Sequence, residues 1–254
     1  MKKLLLGALA AAAIAAPAAY ADTSGSIDTG FTNAEFDNGE YDAFHLGGAV
    51  QIDAWSGWAV QLDGRTSLQQ WDNDSSDDSQ AYAAVHADTN TGAWDFGGWV
   101  GILNYYGSGG TTIGAETRTN FGNISLQGSL GYGSFQSSGD YSGLQANVSG
   151  SYFFSPNLAV NVGVGHTTFE YDFSDDTDML DLSIGGQYGF GNGFEVYGGY
   201  MTSDADYGSG EYDVDTLNIG LRYHFGAGTL QDIANDGASW HGAQLLSDAF
   251  PRWD

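Results

Sequence analysis

The sequence predicts an all-β fold, an antiparallel transmembrane β-barrel of about 12 strands with short turns at one end and longer acidic loops at the other. Three observations lead to this prediction. Apolar and polar residues alternate along most of the chain, the connections alternate in length, and aromatic residues collect at both ends of the alternating segments. A period of two residues indicates strands with one apolar and one polar face.

The alternating segments are long enough to cross a bilayer. In NISLQGSLGY, for example, Ile124, Leu126 and Leu130 lie on one face, with Ser125 and Gln127 on the other. A tilted strand needs about 9–11 residues to span the hydrocarbon core. Twelve such segments occur, near residues 24–36, 41–54, 57–70, 80–89, 93–104, 111–121, 123–135, 141–154, 157–172, 178–190, 193–204 and 212–225.

The connections between segments show a matching asymmetry. Tight turns are predicted at 55–57, 89–92, 121–123, 155–157 and 191–193. The remaining connections are mostly longer and polar, as in DNDSSDDS and SDADYGSGEYD. Short turns on one side and longer loops on the other are typical of outer-membrane barrels, whose tight turns face the periplasm.

Aromatic residues are expected to form a girdle at each membrane interface. A soluble β-sandwich or jelly roll is the alternative, but its aromatic residues would form a core and would have no reason to collect at both strand ends. The residues near the tight turns are Trp58, Trp94, Phe96, Phe121, Phe154, Phe190, Phe194 and Phe225. Those towards the long loops are Tyr41, Phe44, Trp71, Tyr82, Tyr105, Tyr141, Phe169, Tyr171, Tyr200 and Tyr212.

The N-terminus and the charge indicate an exported protein. Residues 1–21 read as a cleavable signal peptide, with two lysines, a short apolar run and an Ala-Tyr-Ala cleavage site. Cleavage leaves four arginines against 32 acidic residues, a formal charge of −28, which excludes nucleic acid as a partner and attracts cations. The chain has no cysteine, so extensive backbone pairing or a large core must stabilise it.

The segment NIGLRYHF, residues 218–225, completes the pattern. With the signal peptide and the twelve segments, it resembles the closing strand of porin-like outer-membrane β-barrel proteins of Gram-negative bacteria. The resemblance implies location in the cell outer membrane, contact with its lipids and lipopolysaccharide, and recognition by the barrel assembly machinery. It assigns the assembly signal to Asn218, Gly220, Tyr223 and Phe225, and the barrel to residues 22–225.

The predicted lumen lining is small and polar, and it carries most of the mature chain's arginines. Small residues favour an open path for water, although glycine also eases the bending of strands. The predicted pairs Asp63/Arg65 and Glu116/Arg118, together with Arg222, suggest a charged constriction. The alternative is an internal plug of salt bridges. Acidic residues near the periplasmic end favour cations, namely Asp53, Asp88, Asp95 and Glu195.

No catalytic or metal-binding motif emerges. None of the five histidines lies in a recognisable arrangement with a serine nucleophile, so an enzyme is not expected. In the acidic segment 72–79, Asp77 takes the glycine position of a calcium loop and Ala83 the terminal glutamate position. We therefore expect neither a metal site nor a cofactor, and interpret the loops as a rim that gathers divalent ions loosely.

The last 29 residues, 226–254, do not fit the strand pattern and are predicted to be a periplasmic extension. TLQDIAN and SWHGAQLLSDAF each suit a short helix. The extension is either loosely ordered or folded against the periplasmic mouth as a partial plug or docking element.

The sequence as a whole predicts a passive, cation-leaning channel for small hydrophilic solutes, as a monomer or homo-oligomer. The alternative is a non-conducting structural or surface-interaction barrel.

Overall fold

The computed structural model describes residues 23–37, 39–55, 57–72, 77–105, 108–136, 141–171, 176–206, 210–226 and 228–249. The predicted signal peptide and parts of the predicted long loops lie outside these ranges. The predictions of a signal peptide and of an acidic rim therefore stay predictions.

The described residues form one closed barrel of twelve antiparallel strands, as predicted. Each strand pairs with its neighbours in sequence, and β1 closes the barrel by pairing with β12, with Gly25 opposite Phe225 and Gly30 opposite Gly220. The strands are β1 Thr23–Phe36, β2 Gly39–Trp55, β3 Trp58–Trp71, β4 Asp77–Asn90, β5 Asp95–Tyr105, β6 Ser108–Phe121, β7 Ile124–Gln136, β8 Tyr141–Ser155, β9 Leu158–Tyr171, β10 Thr177–Gly189, β11 Phe194–Asp206 and β12 Glu211–Phe225.

The tight turns lie at one end of the barrel, which we call the turn end; the opposite end is the loop end. Backbone conformation explains the glycines in two of these turns. Gly122 and Gly193 have φ angles of +60° and +88°, a region that residues with a Cβ atom rarely adopt. The predicted turn at 121–123 is confirmed as a two-residue connection between β6 and β7.

The two faces of the wall have the inverted polarity of a membrane protein. On the outer face Leu182 is 51% exposed and Leu217 is 59% exposed, while on the inner face Gln61 and His86 are fully buried. Because successive strand residues point to opposite faces, the apolar set in each predicted segment lies outside. The predicted orientation of the alternating pattern is confirmed.

The predicted aromatic girdle at the turn end is largely confirmed, since Trp58, Phe121 and Phe154 are exposed on the outer face. The prediction for the loop end was wrong for most of its members. Phe44 and Tyr200 are exposed, but the following residues are buried or packed in clusters inside the barrel: Tyr41, Trp71, Tyr82, Tyr105, Tyr141, Phe169 and Tyr212. All of them point into the lumen, because they alternate with the outward-facing residues of their strands. The prediction considered only how far along the strand each residue lies.

The C-terminal segment forms two helices, α1 Leu230–Asp236 and α2 Gly242–Ala249, close to the two predicted. Among the described residues, neither helix is long and apolar enough to cross a membrane. We call residues 229–249 the plug. Helix α1 lies across the turn end, while α2 contacts β4, β5, β6, β7 and β8 inside the barrel. The alternative in which the extension folds against the mouth therefore describes α1 only, because α2 lies deeper, inside the barrel.

Candidate functional site in the barrel lumen

The plug begins with a capped helix that is fixed to two tight turns. Thr229 caps α1: its backbone N–H and hydroxyl both donate to the Asp232 carboxylate, each at 2.8 Å. These hydrogen bonds hold the pKa of the Asp232 carboxyl below its ordinary value. Gln231 donates its backbone N–H to Pro156 O at 3.0 Å and its side-chain amide to Gly122 O at 2.7 Å. The tight turns therefore fix where the chain re-enters the barrel.

Glutamine side chains of the wall hold the main chain of the plug. Gln61 Nε2 donates to Trp240 O at 2.9 Å, and Gln61 Oε1 accepts from Trp240 N at 3.2 Å. Four other glutamines donate to plug carbonyl oxygens: Gln51 to Asp236, Gln80 to Ser247, Gln127 to Ser239 and Gln145 to Leu245. A buried carbonyl needs such a partner, because leaving it unpaired costs about 1–3 kcal/mol.

A histidine between two carboxylates lies behind the plug. His86 is fully buried; its Nε2 lies 2.7 Å from Asp63 Oδ1, and its Nδ1 contacts Glu116 Oε1. The second oxygen of Glu116 accepts a hydrogen bond from Gly242 N at 3.2 Å. Glu116 therefore connects the wall cluster to the first residue of α2. Within the described ranges, no group of His, Cys, Asp and Glu residues is arranged to hold a metal ion.

Arg118 joins the wall to the plug at the turn end. Its Nε and Nη2 lie 2.9 Å and 2.8 Å from Asp95 Oδ2, and its Nη1 donates to Ser239 Oγ. The guanidinium also lies 4.8 Å from the centre of the Trp240 ring, a cation–π geometry. Arg118 is therefore both paired with a wall carboxylate and in contact with the plug.

The two other lumenal arginines differ in their partners. Arg65 forms an ion pair with Asp248 of α2. Arg222 lies 3.3 Å from Glu195 Oε1 and 4.6 Å from the centre of the Tyr197 ring, so its partners are on the wall. Glu195 also pairs with His224: its Oε2 lies 2.5 Å from Nε2 of the histidine.

The predicted partners within a single strand require correction. Among the described residues, the ion pairs of Arg65 and Arg118 are to Asp248 and Asp95, and not to Asp63 and Glu116. The reason is geometric. Residues i and i+2 on one strand are about 6.5–7 Å apart, whereas directly opposed residues on adjacent strands are closer. Asp95 is directly opposite Arg118, and Glu195 is directly opposite Arg222.

The remaining predicted residues lie away from the plug contacts. Asp53 is exposed near the turn end of β2. The proposed assembly signal lies on β12, where Tyr223 and Phe225 pair with Ile27 and Gly25 of the closing strand. Gly220 faces Tyr197, whose ring occupies the place that a Cβ atom would take.

Trp99 fits into a notch made by glycines of both the wall and the plug. A Cβ atom at Gly114 or Gly131 of the wall would overlap its ring, and one at Gly242 of the plug would lie 2.5 Å from it. Leu246 packs over the same region, 3.3 Å from the Cβ position of Gly131. The indole N–H donates to Thr112 Oγ1 at 3.1 Å. The absence of a side chain at Gly242 therefore allows α2 to approach the wall.

An apolar layer fills the lumen towards the loop end. Ala243, Leu246 and Ala249 of α2 supply its plug side. The wall side consists of Tyr82, Ala84, Trp99, Leu103, Tyr105, Phe135, Phe169, Met179 and Ala205, with Tyr141 and Tyr212 packed against it. Helix α2 is therefore part of the layer that fills the loop end of the lumen.

Within the part of the chain that the structure describes, two sizeable cavities lie beside the plug. One of about 420 Å³ lies in the turn-end half and is lined by small polar residues such as Ser149, Asn161 and Ser183. Another of about 290 Å³ lies in the loop-end half. Both cavities are lined by Asp28, Arg65, Tyr197, Asn218, Arg222 and Asp248, among others. The Arg65–Asp248 ion pair therefore lies where the two cavities meet.

Sequence reasoning did not identify the glutamines, His86, Trp99 or Asp248 as site residues. The glutamines do occupy the polar phase of their strands, which is the available signal. It marks them as lumenal but does not indicate a partner 100 to 185 residues away in the chain.

Comparison with known proteins identifies the fold. No family model matches the sequence, and no curated protein matches it. An outer-membrane channel from Pseudomonas putida F1 has a similar structure, with a TM-score of 0.57 at 11% identity over 80% of this chain and 95% of that one. The monoaromatic hydrocarbon channel CymD gives a TM-score of 0.50 at 10% identity, over 85% and 93%.

The class follows from the closed twelve-strand barrel, its apolar outer face and these structural neighbours. In fold, the chain is a porin-like outer-membrane β-barrel. Its lumen contains the chain's own C-terminal plug, held through hydrogen bonds to the main chain and through the Arg65–Asp248 ion pair.

Proposed function

We propose that the protein is a passive outer-membrane channel for small hydrophilic solutes, with a preference for cations, and that the plug occludes it in the described conformation. The observation that carries the proposal is the pair of cavities, lined by charged and small polar side chains among others, that meet at the Arg65–Asp248 ion pair. In the membrane, the turn end would face the periplasm and the loop end the outside.

The lining residues support a channel over a permanently filled barrel. Strands of a closed barrel can fill their own lumen with large side chains. Here β8, β9 and β10 instead present Ser149, Asn161 and Ser183 to a cavity of about 420 Å³. The element that fills the rest of the lumen is a separate segment, held by an apolar layer and by polar contacts. Water can replace the polar contacts when the segment leaves.

The charges around the larger cavity support the cation preference. Four carboxylates line it, from Asp28, Asp63, Glu195 and Asp248, against the guanidinium groups of Arg65 and Arg222. An excess of negative charge in a narrow path lowers the energy of a cation and raises that of an anion.

Passive transport without chemistry is also part of the proposal. The lumenal histidines of the wall have carboxylate or phenol partners. His45 hydrogen-bonds to Tyr197 and lies near Asp28, His86 contacts Asp63 and Glu116, and His224 pairs with Glu195. These partners support structural roles, since nucleophilic catalysis needs a histidine beside a nucleophile.

A non-conducting structural barrel is the second candidate, and the apolar layer favours it. Buried aromatic and aliphatic residues at the loop end offer no path for an ion while α2 is in place. This candidate predicts that the barrel stays closed even without the plug.

Planar-bilayer recording across a tenfold KCl gradient tests the proposal. We expect small, infrequent current steps from the full chain. The sign of the reversal potential should show that potassium, and not chloride, carries most of the current. Asp28→Asn should reduce that potential, whereas Asp204→Asn, on an exposed residue near the loop end, should leave it unchanged. A chloride-selective current would exclude the cation preference. Absence of current from both the full chain and a chain ending at Phe225 would favour the structural barrel.

A further inference from the structure

We propose that the inner wall formed by β2 to β8 is a polypeptide-binding site, that the plug is its ligand in cis, and that the site binds a peptide of the same chemistry in trans. This inference does not depend on conduction, because it concerns only what the wall recognises.

The wall recognises the main chain of its ligand. Carbonyl oxygens of Asp236, Ser239, Trp240, Leu245 and Ser247 each accept a hydrogen bond from a wall glutamine. The N–H groups of Trp240 and Gly242 donate to Gln61 and Glu116. A side-chain amide carries both donors and an acceptor, so it can pair with any peptide group irrespective of the residue's side chain. These contacts supply affinity for a polypeptide in general.

Three side-chain contacts add selectivity. Trp240 lies against the Arg118 guanidinium, Leu246 packs by Trp99 over Gly131, and Asp248 pairs with Arg65. A residue larger than glycine at the position of Gly242 would meet Trp99 and Glu116. The preferred ligand is therefore a peptide in which a tryptophan is followed by glycine two residues later, leucine six residues later and aspartate eight residues later.

The ligand is structurally separate from the wall. The hydrogen-bonded pairing of β1 with β12 closes the barrel and ends at Phe225, before the plug begins. The plug is joined to the barrel by the chain that follows Gly226. Gly226 has a φ of +73° and lies close to Thr23 O, where a Cβ atom would not fit. A tether of this kind raises the effective concentration of the ligand without taking part in the contacts. Cutting it should therefore weaken binding but not abolish it.

The polar part of the wall, formed by the glutamines, favours reversible binding. Gln61 and Gln80 are buried against the plug, and without it they can hydrogen-bond to water in the lumen. An apolar wall would gain no such partners. A peptide supplied from another chain meets the same donors and acceptors that the plug meets.

The experiment starts from the full chain with a protease recognition sequence inserted between residues 227 and 228. The uncleaved protein is folded in detergent, its fold is checked by heat-modifiable gel mobility, and the tether is then cut. We expect the released fragment to elute with the barrel on size exclusion. A fluorescent peptide of residues 229–249 should then bind in exchange, with saturable anisotropy.

Three controls define specificity. A peptide of the same composition in scrambled order keeps only the general main-chain contacts and should compete at least tenfold more weakly, and Gly242→Val in the peptide should weaken binding about tenfold or more. Gln61→Leu in the wall should do the same. Gln187→Leu is the matched control, since Gln187 is lumenal and donates to Asn161, within the wall.

Two results would overturn the proposal. One is a cleaved fragment that elutes apart from the barrel together with a labelled peptide that fails to bind at tens of micromolar. The other is equal binding of the scrambled peptide, which would indicate unspecific adsorption. Neither readout measures current, so failure here is distinguishable from failure of the channel proposal.

Discussion

Gln61 of β3 and Trp240 of the plug bond to each other twice, through Gln61 Nε2 to Trp240 O at 2.9 Å and Trp240 N to Gln61 Oε1 at 3.2 Å. Both residues are buried, and 179 positions separate them in the chain. The two bonds hold both peptide groups of Trp240 at one point of the wall, so the plug cannot move there without breaking or exchanging both of them.

Replacement of this glutamine should loosen the plug. Gln61→Leu keeps the side chain near its original size but leaves Trp240 N and O without their partner, at a cost of about 1–3 kcal/mol for each buried group. We expect faster hydrogen exchange in residues 237–242, measured by mass spectrometry in detergent. Gln187→Leu, the control inside the wall, should leave that exchange unchanged. Equal protection of the plug in both variants would contradict the prediction.

The Arg65–Asp248 ion pair should couple the wall to the end of α2. We expect Arg65→Gln and Asp248→Asn each to increase exchange in residues 242–249, and the double variant to add little more. The coupling expected for two residues in contact is about 0.5–3 kcal/mol in a double-mutant cycle. Arg222→Gln serves as the control, because Arg222 pairs with Glu195 on the wall. Additive effects of the two substitutions would show that the pair contributes nothing to docking.

Gly242 should be intolerant of a side chain. A Cβ atom there would lie 2.5 Å from Trp99 Cζ3 and 2.8 Å from Glu116 Oε2, so Gly242→Val must displace either α2 or the indole. We expect a shift in the tryptophan fluorescence spectrum and increased protease sensitivity of the plug. Gly210→Val, at an exposed glycine with no atom within 4 Å of its Cβ position, is the control. Unchanged protease sensitivity in Gly242→Val would be incompatible with the position of α2.

Acid should release the start of the plug. The hydrogen bonds from Thr229 lower the pKa of Asp232 in the folded cap. The stabilisation is therefore complete above the ordinary carboxyl pKa of about 3.9 and is lost as the pH falls through the lowered value. We expect residues 230–236 to be less protected at pH 3 than at pH 7, after correction for intrinsic exchange rates. Asp232→Asn should show a smaller change over the same range, and an identical change would refute the assignment.

The barrel itself was predictable because its signals are local. Alternation over about ten residues specifies a strand, and the short and long connections specify which ends meet. The inward phase of Arg65, Arg118 and Arg222 followed from the same pattern. The aromatic residues of the loop end were misassigned because their position along the strand was considered without their phase, although Tyr41 shares the phase of His45.

The plug contacts were not predictable in the same way. Which residue pairs with Arg118 depends on the register between β5 and β6, and the partner of Arg65 lies on a segment with no strand pattern. Hydrogen bonds from glutamine to backbone carbonyls leave no trace in the sequence of the acceptor, because every residue has a carbonyl. The two helices of the plug were recognisable, and placement at the mouth, where α1 lies, was one of the predicted alternatives. The location of α2 in the lumen was not predicted.

The most direct test of the account is the single-channel conductance of the full chain compared with that of the chain ending at Phe225, in the same bilayer and salt. The plug fills the lumen beside two small cavities and completes the apolar layer. We therefore predict a several-fold larger, cation-selective step without it, suppressed again by added peptide of residues 229–249. Equal conductance of the two chains, with the truncated barrel shown to be folded, would contradict the claim that the plug closes the lumen.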